Sequence, residues 1–112
     1  MADKDVLNTE MIQNMILMLE TVRERPKMWV GGIDARSLSS FMAGYEFALL
    51  NLGIEINREM QKRELEAQGV HLSSGGIIGY LKAQGMTDAE ITDEVLRYEI
   101  EAWKKRRDAL LD

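Results

Sequence analysis

Three kinds of side chain in this sequence could do chemistry: one histidine, two serines close to it, and a large number of carboxylates. His71 precedes Ser73 and Ser74 by two and three residues, and a serine hydroxyl beside a histidine base is the core of a hydrolase triad. A triad is defined by its geometry in space, which local spacing does not specify. We therefore interpret His71 as an ordinary loop residue, and a small hydrolase that uses it is a distant alternative.

Composition limits metal and thiol chemistry further. The chain contains one histidine and no cysteine, which excludes thiolate nucleophiles, thiolate metal sites and clusters of several histidines. A hydrolase that uses two carboxylates is still open, but most of the 19 acidic residues fall on the polar faces of predicted helices. We expect a protein that is not an enzyme, with no catalytic residue, no metal and no cofactor.

The glycines in segment 75–79 do not form a nucleotide-binding loop. The segment reads Gly-Gly-Ile-Ile-Gly, which matches neither GxxxxGK[ST] nor GxGxxG. Glycines at this place favour a tight turn and close packing at a helix start.

Acidic side chains are concentrated near the end of the sequence. Segment 87–103 holds six carboxylates and one arginine, a net charge of −5 that equals the charge of the whole chain. Spacings of three and four residues bring helical side chains onto one face. The residues with this spacing, or directly beside it, are Glu90, Asp93, Glu94, Arg97 and Glu101. Such a stripe is either a solvated helix face or a docking surface for a basic protein, and we predict its four carboxylates as partner-binding residues.

The charge of the whole chain also excludes classes of partner. Fourteen Lys and Arg against 19 Asp and Glu give −5 over 112 residues, and such a surface repels the phosphate backbone of nucleic acids. Apolar stretches are far shorter than the roughly 20 residues of a membrane span, and the first residues do not resemble an export signal. We expect a single cytoplasmic domain, residues 1–112, that binds neither nucleic acid nor a membrane.

Hydrophobic periodicity predicts an all-α fold. Apolar residues repeat every three or four positions in segments 5–25, 37–52 and 88–107, and less clearly in 54–68 and 77–83. We therefore predict a compact bundle of four to five helices.

Local signals predict where these helices begin and end. Pro26 should end the first helix, and residues 27–31 are then expected as a short extended segment. Ser37 is expected to cap the second helix and Gly53 to end it. Thr87 and Glu90 have the spacing of a capping box.

Self-association is the alternative to a separate partner. Eight methionines, several of them on predicted helix faces, are expected mainly to fill the core, and an adaptable binding surface is the alternative. The apolar faces of the first and last helices are also broad for a chain of this size. A homodimer, or a structural or regulatory helical module, therefore remains open.

One short motif resembles known families. Residues 19–31 read Leu-Glu-Thr-Val-Arg-Glu-Arg-Pro-Lys-Met-Trp-Val-Gly, which is similar to the aVRkRPgMYiG segment near the start of the DNA gyrase B and topoisomerase ATPase domain. In that family the next helix carries a glutamate and an Asp-Asn pair that bind water, magnesium and nucleotide. Here Glu46 in the corresponding helix lacks the Asp-Asn pair, so the resemblance does not imply ATPase activity.

More of the chain is similar to a group of small bacterial proteins, many of them uncharacterised and some encoded beside polymorphic or contact-dependent growth-inhibition toxins. These share RPgMYlG, a serine-leucine step and fl.GY..A, which correspond here to residues 25–31, Ser37-Leu38 and residues 41–48. The resemblance implies an immunity protein that binds a basic toxin domain, such as a nuclease, and covers its active surface. Trp29 is the expected apolar anchor of that contact, and Gly44 the expected point of close approach between two helices.

Overall fold

The residues that the structure describes form six α-helices. The computed structural model describes residues 8–32, 34–54, 58–70 and 76–111, and within these ranges it contains helices and no strand. The helices are α1 (Thr9–Glu24), α2 (Pro26–Val30), α3 (Ala35–Asn51), α4 (Arg58–Ala67), α5 (Gly76–Ala83) and α6 (Asp88–Leu111). The predicted all-α class is confirmed, with one helix more than the upper end of the expected number.

The antiparallel pair of α1 and α6 is the centre of the molecule. Arg23, near the end of α1, contacts Asp93 near the start of α6, while Gln13 and Arg107 meet at the opposite end. The first and last described helices therefore pack side by side along most of the length of α1.

Apolar residues of α1 face α6 because of their helical spacing. The main core cluster consists of Ile12, Ile16, Leu19, Val22, Tyr45, Leu49, Ile54, Leu96, Ile100 and Trp103. Each large aliphatic side chain that leaves water in this way stabilises the fold by about 1.5–3 kcal/mol. The broad apolar faces of the first and last helices are thus covered largely by each other.

A second, smaller cluster holds α5 against the start of α6. It contains Leu38, Leu81, Ile91 and Val95. Met42 of α3 packs against both clusters, so α3 joins the two parts of the core.

The expected extended segment at residues 27–31 is wrong, because Pro26–Val30 forms the short helix α2. Proline has no amide hydrogen and a fixed φ, which excludes it from a helix interior but suits the first turn. Arg25 has a non-helical φ of −136° and separates α1 from α2, and Gly31 ends α2 at φ +90°.

The helix ends confirm some predicted caps and correct others. The Thr87–Glu90 capping box is present in both directions, with N–O distances of 2.8 and 3.2 Å, and Gly53 follows α3 at φ +79°. The helix α3, however, is capped by Asp34, whose Oδ1 accepts a 2.8 Å hydrogen bond from the amide of Ser37. The expected cap at Ser37 is therefore wrong by one turn.

The first helix likewise begins later than the predicted start at residue 5. Asn8 has extended backbone angles, and its side chain accepts a hydrogen bond from the amide of Met11. A short polar side chain in this conformation is a strong helix start, so α1 begins at Thr9.

Candidate functional site

The predicted docking carboxylates of α6 lie at the surface, but each has a partner within the molecule. Asp93 binds Arg23 of α1 through two hydrogen bonds of 2.7 and 3.0 Å. These bonds hold the pKa of the Asp93 carboxyl below its usual value. This carboxylate therefore joins α6 to α1 as well as facing solvent.

Glu94 is engaged in the same way within its own helix. It accepts two hydrogen bonds of 2.8 Å from the guanidinium of Arg97, which lower the pKa of the Glu94 carboxyl. The same guanidinium lies 4.7 Å from the ring centre of Tyr98, a distance at which a cation is attracted to an aromatic face.

Glu90 and Glu101 complete the stripe. Glu90 accepts the 2.8 Å hydrogen bond from the amide of Thr87, and this bond lowers the pKa of the Glu90 carboxyl. Glu101 remains half exposed, with its oxygen 3.7 Å from the Lys104 ammonium. Three cations thus stand beside the four predicted carboxylates, and the stripe presents much less negative charge than its sequence indicates.

Trp29, the predicted anchor, is exposed. Its exposed fraction is 53%, and that of its neighbour Met28 is 64%. A five-residue helix has few residues with which to bury both large side chains, and α2 has no buried residue. Trp29 is therefore available for contact with another molecule, as the anchor role requires.

A surface that local sequence patterns did not predict lies on the outer side of α1. We define the outer face of α1 as Glu10, Asn14, Leu17, Met18, Glu20, Thr21 and Glu24, all of them exposed. Leu17 and Met18 are large apolar side chains that face solvent. Within the described part of the chain, the three carboxylates of this face make no ion pair and no side-chain hydrogen bond. The face therefore combines apolar contact area with uncompensated negative charge.

Sequence reasoning also missed a buried polar network. Glu99 belongs to the acidic segment but is only 6% exposed, and its Oε2 accepts a 2.9 Å hydrogen bond from the Tyr45 hydroxyl. That hydroxyl in turn accepts a hydrogen bond from the indole N–H of Trp103. Glu99 stands three residues after Leu96 and four before Trp103, so helical spacing alone could have placed it on the buried face.

A cleft of about 610 Å³ lies between α3, α4, α5 and α6. Its apolar lining comes mainly from Met42, Ala43, Leu65, Ile77, Ile78, Val95, Tyr98 and Ala102. At its edge, Lys105 of α6 binds Glu64 of α4 at 2.8 Å. The volume falls in the range of small-ligand pockets, about 300–1,000 Å³, and the lining suits an apolar molecule.

Some of the candidate residues from the sequence lie outside the ranges that the structure describes. His71, Ser73 and Ser74 lie outside the described residues, as does Gly75. Among the residues that are described, no group of three or more Asp, Glu or His could hold a metal ion. None of the helices in those ranges combines the length and the apolar character needed to cross a bilayer.

Comparison with known protein families, curated proteins and solved structures finds no match for this chain. The similarity of residues 19–31 to the gyrase B segment, and of residues 19–48 to small immunity-like proteins, therefore stays a prediction.

Proposed function

We propose that this protein is a binding protein of the immunity type. It binds a basic protein partner, such as a nuclease toxin domain, and covers the cationic surface with which that partner reaches its substrate. The mechanism is occlusion and needs no bond-breaking step.

The observation that carries this proposal is the outer face of α1. Its apolar pair, Leu17 and Met18, is bordered by Glu10, Glu20 and Glu24, which make no ion pair with any residue that the structure describes. Apolar contacts that lose water supply most of the affinity at an interface. Charges at the rim accelerate association and select the sign of the partner. A basic surface with an apolar centre is the complement of this face.

Trp29 and the carboxylates of α6 extend the proposed surface. The ion pair between Arg23 and Asp93 places the start of α6 beside the end of α1, and α2 begins at Pro26, one residue beyond the Arg25 that follows α1. Isolated surface ion pairs stabilise a protein by only about 0–1 kcal/mol. A basic partner can therefore compete with Arg23 for Asp93 at little loss of stability. The proposal therefore keeps Glu90, Asp93, Glu94 and Glu101 as partner contacts, made when a cation of the partner replaces one of this protein's own.

The first experiment identifies the partner and tests its charge. The immobilised protein captures proteins from the cells that produce it, and the captured partner is purified. We expect a basic protein whose toxicity is relieved when the two are produced together. The association rate should fall as ionic strength rises, because added salt screens the attraction between exposed charges. An acidic partner, or a rate that does not change with salt, contradicts the proposal.

Variants then locate the surface. Glu20→Gln combined with Glu24→Gln should slow association severalfold, whereas Glu66→Gln, at an exposed carboxylate of α4, should not. Trp29→Ala should accelerate dissociation, because large aromatic side chains are frequent hot spots. Leu110→Ala, at a comparably exposed position near the end of α6, is the control for loss of apolar area.

A further inference from the structure

An apolar surface on α3 is used neither by the core nor by the surface proposed for the partner. Phe47 is 69% exposed and Leu50 is 65% exposed, although both lie in a long, regular helix. We define the outer face of α3 as the exposed residues that share one side of the helix with them: Ser40, Ala43, Gly44, Phe47, Leu50 and Asn51. Large apolar side chains that remain together at the surface indicate an interaction site.

Gly44 lies at the centre of this face, and no contact or backbone angle within the described chain requires a glycine there. Glycine weakens a helix interior relative to alanine, and it is retained where φ is positive or where another group approaches closely. Gly44 does not have positive φ, and a Cβ atom added to it would meet no atom within 4 Å. The expectation that Gly44 permits close approach between two helices of this chain is therefore wrong for the part that the structure describes. A helix of another molecule, packed across Gly44, would use the space.

The charges of α3 indicate what that molecule is. Between Ser37 and Asn51 the one charged side chain is Glu46, which is half-buried and lines the cleft. The outer face of α3 therefore contains no ionisable side chain. An uncharged apolar face is best covered by another of the same kind, and the chain itself provides one.

Net charge also favours this face over others for contact between two copies. Each copy carries a net charge of −5, so association must avoid bringing carboxylates together. The outer face of α1 would place Glu10, Glu20 and Glu24 of one copy against those of the other. At the outer face of α3, apolar side chains of the two copies can pack together without repulsion between carboxylates.

We propose that two copies of this chain bind through the outer face of α3. The pair is two-fold symmetric, with the two α3 helices crossing at Gly44 and Phe47 of each copy packing near Ser40 of the other. In a symmetric pair of this kind each contact occurs twice. The outer face of α1 stays free on both copies, so the pair presents two partner-binding surfaces.

Sedimentation velocity over a concentration series, from low to high micromolar, tests the pair. The wild-type protein should change from the 12.8 kDa mass of one chain to twice that mass as concentration rises. Phe47→Glu should remain monomeric at every concentration. Leu17→Glu makes the same change at an exposed apolar residue of α1 and should dimerise as the wild type does. Circular dichroism establishes that both variants are folded.

A conservative variant separates association from folding. Gly44→Ala should raise the thermal midpoint of the monomer, since alanine favours the helix and the added methyl meets nothing. The same change should weaken dimerisation severalfold, because the methyl lies at the crossing point. Gly79→Ala in α5 is the matched control, as its added Cβ also has no neighbour within 4 Å, and it should leave dimerisation unchanged.

The proposal is overturned if the wild-type protein remains monomeric throughout the series. It is equally overturned if Phe47→Glu dimerises normally, or if Gly44→Ala and Gly79→Ala affect association alike. These outcomes leave the α1 surface and its basic partner untouched, because that proposal is judged by association with a different protein.

Discussion

The Tyr45 hydroxyl should contribute more to stability than any other tyrosine hydroxyl in the described structure. It donates to Glu99 and accepts from Trp103, and these two residues are 6% and 2% exposed. Tyr45→Phe removes this one oxygen and leaves the indole N–H of Trp103 without its acceptor. It also removes one donor from a buried carboxylate. A buried polar group that loses its hydrogen-bond partner costs about 1–3 kcal/mol, and a charged group costs more.

Two partners are affected, so we expect Tyr45→Phe to lower the free energy of unfolding by about 2–4 kcal/mol. This is a large part of the about 5–15 kcal/mol that stabilises a typical domain. The measurement is urea unfolding followed by circular dichroism, with the midpoint and the slope fitted separately. A lower midpoint with an unchanged slope indicates a loss of stability without a change of the unfolded state.

Tyr80→Phe is the matched control. Tyr80 is partly buried against the smaller core cluster, and its hydroxyl makes no hydrogen bond within the described residues. Its removal should change the free energy of unfolding by less than about 0.5 kcal/mol. If Tyr45→Phe is as mild as Tyr80→Phe, the network does not hold α3 to α6 and our account of Glu99 is incorrect.

Two further predictions concern Asp93 in α6 and the capping residue Thr87 that precedes this helix. Hydrogen bonds from Arg23 and Arg97 keep the pKa values of Asp93 and Glu94 below their ordinary values. The two carboxylates therefore stabilise the folded state fully above the pKa that they have in the unfolded chain. This contribution is lost as the pH falls through their lower pKa values in the folded state. Asp93→Asn should therefore reduce the acid dependence of the urea midpoint while lowering stability at neutral pH by no more than about 1 kcal/mol; an unchanged acid dependence would contradict this. Thr87→Ala removes the hydroxyl oxygen that accepts the hydrogen bond of the capping box, and it should lower the free energy of unfolding by about 1 kcal/mol. The same urea denaturation assay measures this loss. A variant as stable as the wild type would show that the cap is dispensable.

Local patterns predicted most of the helices because each depends on nearby residues. The spacing of Ile12, Ile16 and Leu19 in α1, and the Thr87–Glu90 capping box, involve residues within a few positions of one another. Pro26 shows the limit of such rules. It ends α1 and starts α2, and the rule that proline interrupts a helix interior predicts only the first effect.

The candidate site was harder to predict because its charges pair over long distances in the chain. Helical spacing correctly placed Glu90, Asp93 and Glu94 at the surface of α6. It could not reveal that Arg23, 70 positions away, binds Asp93. The lack of ion pairs at Glu10, Glu20 and Glu24 among the described residues is a property of the folded surface, since only the fold shows which cations bind which carboxylates.

The pairing of α1 with α6 has a consequence for the order of folding during synthesis. Ribosomes elongate a chain by about 5–20 residues per second, so α1 emerges several seconds before the helix that covers Ile12, Ile16 and Leu19. During that interval these side chains have no permanent cover, and nascent chains of this protein should be substrates for ribosome-associated chaperones.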